Sequence, residues 1–387
     1  MITVTVEAGF GSTMFDPSPT WTDISAWFRR GDIHRGRPSV DQRFDTGTGS
    51  LVLDNRDGRF EPFNTSSPYD PDVVIGTPIR ITAQPDGESV SPVFYGSARG
   101  WIPEYPTGNI DATVHVSLAD GFLTLNQEDL SGLTFPAQTT DERIDAVLDA
   151  VGWPAGLRAV SPGLGTVQAV EFALPGDGGE QSALLHLQDV AEAEAGVLFM
   201  GADGTVVFQN RVAQSGATSQ ATFDGTLYSE LDIQPDDAVL YNVLHIARED
   251  GAQVVYDASA GRPRRVLTRD VMPMGNDAEV LSLAEWLYAL FGEQRRRIDG
   301  LAFKPFKSAG LLADVIATEL RDTVTVQHDP PGTGVALNAL CAVEGIDQSF
   351  APEDLTTVFS LVPLVETETQ DYWILGTSEL EVSTRIA

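Results

Sequence analysis

From Ile2 to about residue 125 apolar and polar positions alternate in short runs: Ile2-Thr3-Val4-Thr5-Val6, Leu51-Val52-Leu53, Pro78-Ile79-Arg80-Ile81-Thr82-Ala83, Val93-Phe94-Tyr95-Gly96 and Val114-His115-Val116-Ser117-Leu118. A period of two puts successive side chains on opposite faces, so these runs read as strands, and the Gly, Pro, Asp and Ser clusters between them as turns. Each run is too short to persist alone, which predicts one shared core, as in an antiparallel barrel or sandwich. The stretch Gly49 to Phe60 is the clearest unit. Leu51 and Leu53 face one side, and Asp54-Asn55-Arg56-Asp57-Gly58 is turn chemistry that ends the strand. Trp21 to Phe28, Ile33 and Arg35-Gly36-Arg37 read as earlier parts of the same sheet.

Near residue 125 the period changes. Thr139 and Glu142 have the spacing of a capping box, and Ile144, Val147, Leu148 and Val151 then share a helical face until Gly152-Trp153-Pro154 stops it. Links rich in Pro and Gly follow, at Ser161 to Gly165 and Pro175-Gly176-Asp177-Gly178-Gly179. A second helix is expected from about Ser182 to Ala195, ended by Gly196, with a hairpin after it around Gly201-Ala202-Asp203-Gly204. From about Leu231 strands resume, at Leu240 to Ile246 and Gln253 to Tyr256. Helices are expected from Asp277 to Phe291 and from Leu311 to Leu320. Three further strands lie at Thr323 to Val326, Cys341 to Ile346 and Thr357 to Leu361. The division this predicts is a β domain over 1–125, an α+β domain over 126–230, and a second β domain with inserted helices over 231–387.

Charge changes the picture more than composition does. Of 387 residues 24 are basic and 56 acidic, a formal net charge of -32, which argues against specific nucleic-acid binding and is compatible with lining a passage that DNA crosses. Hydrophobic residues make up 42% of the chain, too many for a disordered one. No apolar run approaches the roughly 20 residues that span a bilayer, so a soluble chain without a membrane segment is expected. The single cysteine, Cys341, excludes an internal disulfide and reads as a small buried apolar residue.

No catalytic, cofactor-binding or metal residue is assigned. Pro330-Pro331-Gly332-Thr333-Gly334 lacks the Lys-Ser/Thr of a nucleotide loop, since Val335-Ala336 follow, and reads as a tight turn. Asp54 to Gly58 has the cation Arg56 where a calcium loop needs an oxygen ligand. His34, His115, His186, His245 and His328 are scattered and pair with no metal motif. No G-x-S-x-G nucleophile elbow occurs, and carboxylates are too abundant for spacing to single out a catalytic pair. Two basic clusters, Arg262-Pro263-Arg264-Arg265 and Arg295-Arg296-Arg297, read equally as solvated ends or as contacts to an acidic neighbour. Trp21, Trp27, Phe28 and Phe60 read as core rather than ligand surface.

The block from Trp21 to Tyr69, with its pieces W-T-D-I-S-A-W-F, R-G-R, G-T-G-S-L-V-L-D-N-R-D-G-R-F and N-T-S-S-P-Y, resembles the N-terminal region of minor tail proteins of long-tailed actinobacterial bacteriophages. The helix, "D-G" hairpin and Asn210-Arg211 are similar to the inserted domain of phage baseplate hub proteins, and the final strands to their second barrel. The resemblance implies a mainly β fold with an α+β insertion between two β-barrel-like domains. It also implies a structural, non-enzymatic virion protein at the tail tip, assembled in the host cytoplasm. Its partners would be its own copies as a trimeric ring, the distal tail protein, the tape-measure protein and other tail-tip proteins. Two alternatives stay open: a hexameric distal tail protein, and a host-glycan-binding tip module.

Overall fold

Alternation becomes burial in the first strand, Ile2–Ala8, where Ile2, Val4, Val6 and Ala8 point inward and Thr3 outward. The computed structural model describes residues 2–37, 39–106, 110–174, 181–215, 217–235, 240–249, 251–292, 296–304, 309–329, 337–352 and 354–364. The link Pro175 to Gly179, the turn Pro330 to Gly334 and Arg295 lie outside these residues, as do the side chains of Arg296 and Arg297.

The fold is mainly β. One 13-stranded sheet runs in the order Glu230–Pro235, Arg296–Phe303, Asp354–Pro363, Leu337–Ala351, Phe28–Gly36, Thr48–Asp54, Thr113–Asp120, Ser91–Glu104, Pro78–Pro85, Ile2–Ala8, Thr22–Asp23. Thr323–His328 pairs with Leu337–Ala351 and with Ala221–Phe223 off this path. Front and rear strands therefore meet in one ladder. The long strand Leu337–Ala351 pairs first with Thr323–His328, then passes a register shift between Val343 and Gly345 and pairs with Phe28–Gly36. A bulge bends its strand and twists it locally, which lets one strand serve two halves. Gly36 is required at this crossing. Its φ is +125°, and a Cβ there would stand 2.3 Å from the Glu344 carbonyl oxygen.

Five helices stand among the described residues: α1 (Gly121–Gln127), α2 (Thr140–Ala150), α3 (Ala183–Ala193), α4 (Asp277–Phe291) and α5 (Ala309–Ala317). The capping box of α2 forms as its spacing predicts, with the Thr139 amide donating to Glu142 Oε2 at 3.1 Å. α3 starts one residue after Ser182, whose hydroxyl accepts from the Leu185 amide. Its end differs from expectation. Ala195, at φ +57°, takes the left-handed turn, and Gly196 is needed instead because a Cβ there would meet the Phe208 ring at 2.7 Å.

Three cores hold the chain. The front core gathers Ile2, Leu51, Leu53, Phe60, Ile81 and Phe94, and Leu312 and Ile316 of α5 close it. The second joins α1, α2, α3 and the hairpin Val197–Met200 and Val206–Gln209 to Phe223, Phe303, Phe359 and Cys341 of the rear strands. The third belongs to a small unit inserted between the paired strands Glu230–Pro235 and Arg296–Phe303. In it α4 packs on Val254–Asp257 and Val243–Arg248 of a three-stranded sheet whose third strand, Val266–Met272, meets α3. The last of these strands was not legible, because its apolar residues follow no clean period and its pairing is parallel to a distant partner.

Candidate functional site

The polar groups converge at the joint between the two halves, around Arg35 to Arg43. Glu344, only 3% exposed, takes Arg37 Nε on Oε2 at 2.7 Å and the Arg321 guanidinium on Oε1. Burial works against its charge, but the Arg321 and Arg37 cations outweigh that and hold its carboxyl below the usual range. Arg321 sits at φ +67°, a conformation rare for a residue with a side chain, with its amide bonded to Val343 O at 2.7 Å. Arg35 Nη1 donates to Glu319 Oε1 at 2.6 Å, and Glu319 Oε2 accepts the Ala202 amide at 2.8 Å. Arg43 reaches Asp189 and Glu192 of α3, while Tyr241 and Arg269 of the inserted unit bond Asp41. One short segment thus touches the front strands, α3, the rear strands and the inserted unit. Local spacing gives no sign of this, although Arg35-Gly36-Arg37 is the residue run that carries it.

Elsewhere the candidate groups serve the fold. Asp54 is held well below the usual carboxylate range by its bonds to Arg56, with Arg29 adding to them. Asn55 Oδ1 accepts the Phe60 amide at 2.9 Å, so this loop is a capped turn. The histidines do not converge. His34 pairs with Asp347, His115 with Glu104 and His328 with Tyr228; His245 lies in the inserted sheet, and His186 is buried beside Arg143. Among the described residues no group of three or more potential ligands is placed to hold a metal ion. Phe28 and Phe60 are core, while Trp27 is half-buried under the Arg59 guanidinium, 3.9 Å from its ring centre. Arg262 and Arg264 are exposed, Arg264 paired with Asp257 at 3.3 Å.

Two buried titrating groups have opposite effects on stability. Burial, then the Arg143 charge, pulls His186 to about 4 from 6.5, so as the pH falls through this window the unfolded chain takes up a proton the folded chain refuses, and stability drops. Burial pushes Asp120 up to about 7 from 3.8, although the Gly47 and Phe122 amides donate to it. Its folded form therefore keeps a proton that the unfolded chain releases, and stability drops as the pH rises through that range. The slopes oppose one another. His186→Gln removes the first, and its urea midpoint is expected to fall steadily from about pH 4 to about pH 7 where the parent stays flatter. A variant profile parallel to the parent contradicts this.

At one end of the front half Phe63 is 91% exposed and Ile110 80%, and Tyr105, also exposed, bonds Glu61 through its hydroxyl.

No protein-family model and no curated protein sequence matches this chain. Solved structures do. A tail protein from Neisseria meningitidis aligns over 94% of this chain and 97% of its own, with a TM-score of 0.61 and 14% identity. The tail protein of prophage MuSo2 from Shewanella oneidensis covers 93% of this chain and 98% of its own, at 0.57 and 15%. An Escherichia coli type VI secretion component, described as structurally similar to the T4 tail proteins gp27 and gp5, covers 88% and 74%, at 0.51 and 8%. Identities this low speak for the fold alone, and the fold of this chain is that of phage tail proteins.

Proposed function

We propose that this protein is a structural component of a phage tail, a hub or minor tail protein that rings the lumen at the distal end and joins the tail tube to the tip. The observation that carries the reading is the likeness to a tail protein over nearly the whole of both chains. The single sheet that wraps two β halves suits a ring wall, and the exposed end at Phe63 and Ile110 supplies a contact for the next copy. In this reading three copies assemble, their two β halves matching sixfold neighbours. They contact the distal tail protein and the tape-measure protein, and no catalysis is needed. A strongly acidic wall lets DNA pass without adhering. The exposed arginines at Arg262 and Arg264 offer a cationic contact to an acidic neighbouring subunit. The resemblance of the N-terminal block supports a long-tailed actinobacterial phage as the source of this tail.

The test is a copy count in the intact particle by cryo-electron microscopy. Three copies in a ring at the tail tip support the hub. Six copies move the assignment to the distal tail protein, and absence from the particle overturns a structural role. In parallel, Phe63→Asp is expected to abolish incorporation while leaving the unfolding midpoint of the isolated chain unchanged, because the ring of Phe63 touches mostly water. The exposed Phe63 and Tyr105 also suit a glycan platform; normal incorporation of Phe63→Asp with lost binding to host cell-wall glycan favours that second reading.

A further inference from the structure

The loop that carries Phe63 is built as a fixed spur. From Gly58 every third amide donates to the carbonyl three residues earlier, Gly58 to Asn55, Glu61 to Gly58, Asn64 to Glu61, Ser67 to Asn64 and Asp70 to Ser67, all at 2.9–3.2 Å. Asn64 Nδ2 ties the loop across to the Gly58 carbonyl at 2.8 Å. A ring that is 91% exposed is thus held in one place, and it gives up little further freedom on meeting a partner. Arg56 and Arg59 are paired inside the loop with Asp54 and Asp57, so Glu61, Asp70 and Asp72 leave the spur acidic.

A hole of suitable size lies elsewhere on the same chain. Between α3, α4 and the rear strands a cavity of about 250 Å³ opens over an apolar floor of Phe44, Leu283, Trp286, Leu287 and Leu290. A cavity of roughly 150 Å³ with such a lining already admits a benzene ring, so this one has room for a benzyl side chain. Most arginines of its wall are paired within the chain, Arg37 and Arg321 with Glu344, and Arg43 and Arg269 with Glu192. Arg211 is different. Half-buried, it lies 5.9 Å over the Trp286 ring and hydrogen-bonds no carboxylate among the described residues.

We propose that Phe63 of one copy inserts into this cavity of the next copy, with the acidic spur facing Arg211. The proposal rests on the ring reading above for the presence of a neighbouring copy, and it names what joins the two. Knob and hole are different surfaces of one chain, so the contact is heterologous and repeats head to tail, as a closed ring requires. An aromatic side chain seated in a desolvated pocket is the kind of anchor that dominates an interface.

Cysteine cross-linking of purified full-length chains and of intact particles tests this. Thr65 beside the knob and Ser215 at the cavity wall are exposed, while the native Cys341 is 0% exposed and stays unlabelled. A short bismaleimide is expected to join Thr65→Cys chains to Ser215→Cys chains in a mixture, and to join neither variant to itself. Adding Phe63→Ala to the Thr65→Cys chain is expected to lower the yield about thirtyfold, the scale of losing an aromatic anchor. Leu287→Trp fills the cavity from its own floor and is expected to do the same. Arg211→Glu leaves that floor intact and is expected to lower the yield about tenfold, which gives an answer even if Leu287→Trp does not fold. Cross-linking of Thr65→Cys chains to one another, or a mixed yield indifferent to Phe63→Ala and Arg211→Glu, overturns the proposal. A three-copy ring in the particle with no link between positions 65 and 215 also overturns it, and leaves the tail role standing. A link between purified chains that are absent from the particle keeps this contact and removes the tail role.

Discussion

Glu344→Ala is expected to destabilise the protein by about 3–5 kcal/mol, the cost of leaving a buried charge without its partner. The carboxylate lies between Arg37 and Arg321, whose side chains are 8% and 14% exposed, so neither cation can recover its hydration when the anion is lost. The damage is also placed badly. Arg37 donates its amide to the Glu344 carbonyl and Arg321 its amide to Val343, so both guanidiniums hang from the backbone at the crossing of front and rear strands. Replacing Arg37, Glu344 and Arg321 together by Met, Leu and Met is expected to recover most of the loss, since a well-packed apolar cluster can match a buried ionic one. Urea unfolding measures both variants. A loss of less than about 1 kcal/mol for Glu344→Ala would mean the trio behaves like a solvated surface pair, and this account would fail.

Arg143→Ala is expected to cost a similar amount, about 3–5 kcal/mol, by a different route. Arg143 is 0% exposed and pairs with no carboxylate among the described residues. Its guanidinium donates to Pro136 O at 2.6 Å, Gln168 O at 2.8 Å and Gln138 Oε1 at 2.9 Å, and meets His186 Nε2 at 3.2 Å. Burial draws its pKa down to about 10, which still leaves it charged at neutral pH. Truncation bares several buried acceptors at once, each at about 1–3 kcal/mol when unsatisfied, less whatever water recovers. Arg143→Lys keeps the charge but not the planar fork, and should fall between parent and alanine. Hydrogen exchange localises the effect: the segments around Gln138 and Gln168 should lose protection first, and if they keep parental protection the clamp is misassigned.

Much of the local structure was legible. The helix start at Thr139 and Glu142 depends on two residues three apart, and the turn at Asp54 to Gly58 depends on side chains that bond their own backbone. Such signals are complete within a few residues. The end of α3 was legible in place but not in cause, because Gly196 is dictated by the Phe208 ring from the facing strand rather than by the turn. The strand Val266–Met272 was not legible for a related reason: its burial pattern is set by its parallel partner Val243–Arg248 and by α3, both distant in sequence. The joint at Glu344 was invisible, since Arg37 and Glu344 are 307 residues apart. The N-terminal block carried the tail-protein resemblance, and the fold it implied is the one observed.

The sequence by itself determined where many of the strands, helices and turns form, that the chain is mainly β with an α+β insertion, and that it is strongly acidic. Periodicity states which face of an element is apolar. It does not state which other face covers it. That choice, made only in the tertiary structure, joined the front and rear strands through Leu337–Ala351, sent α5 to close the front core, and enclosed Arg37, Glu344 and Arg321 at the crossing. The physical reason is that register and partner are selected by long-range burial, where the gain from matching two apolar faces and pairing buried charges outweighs any preference written in a single short segment.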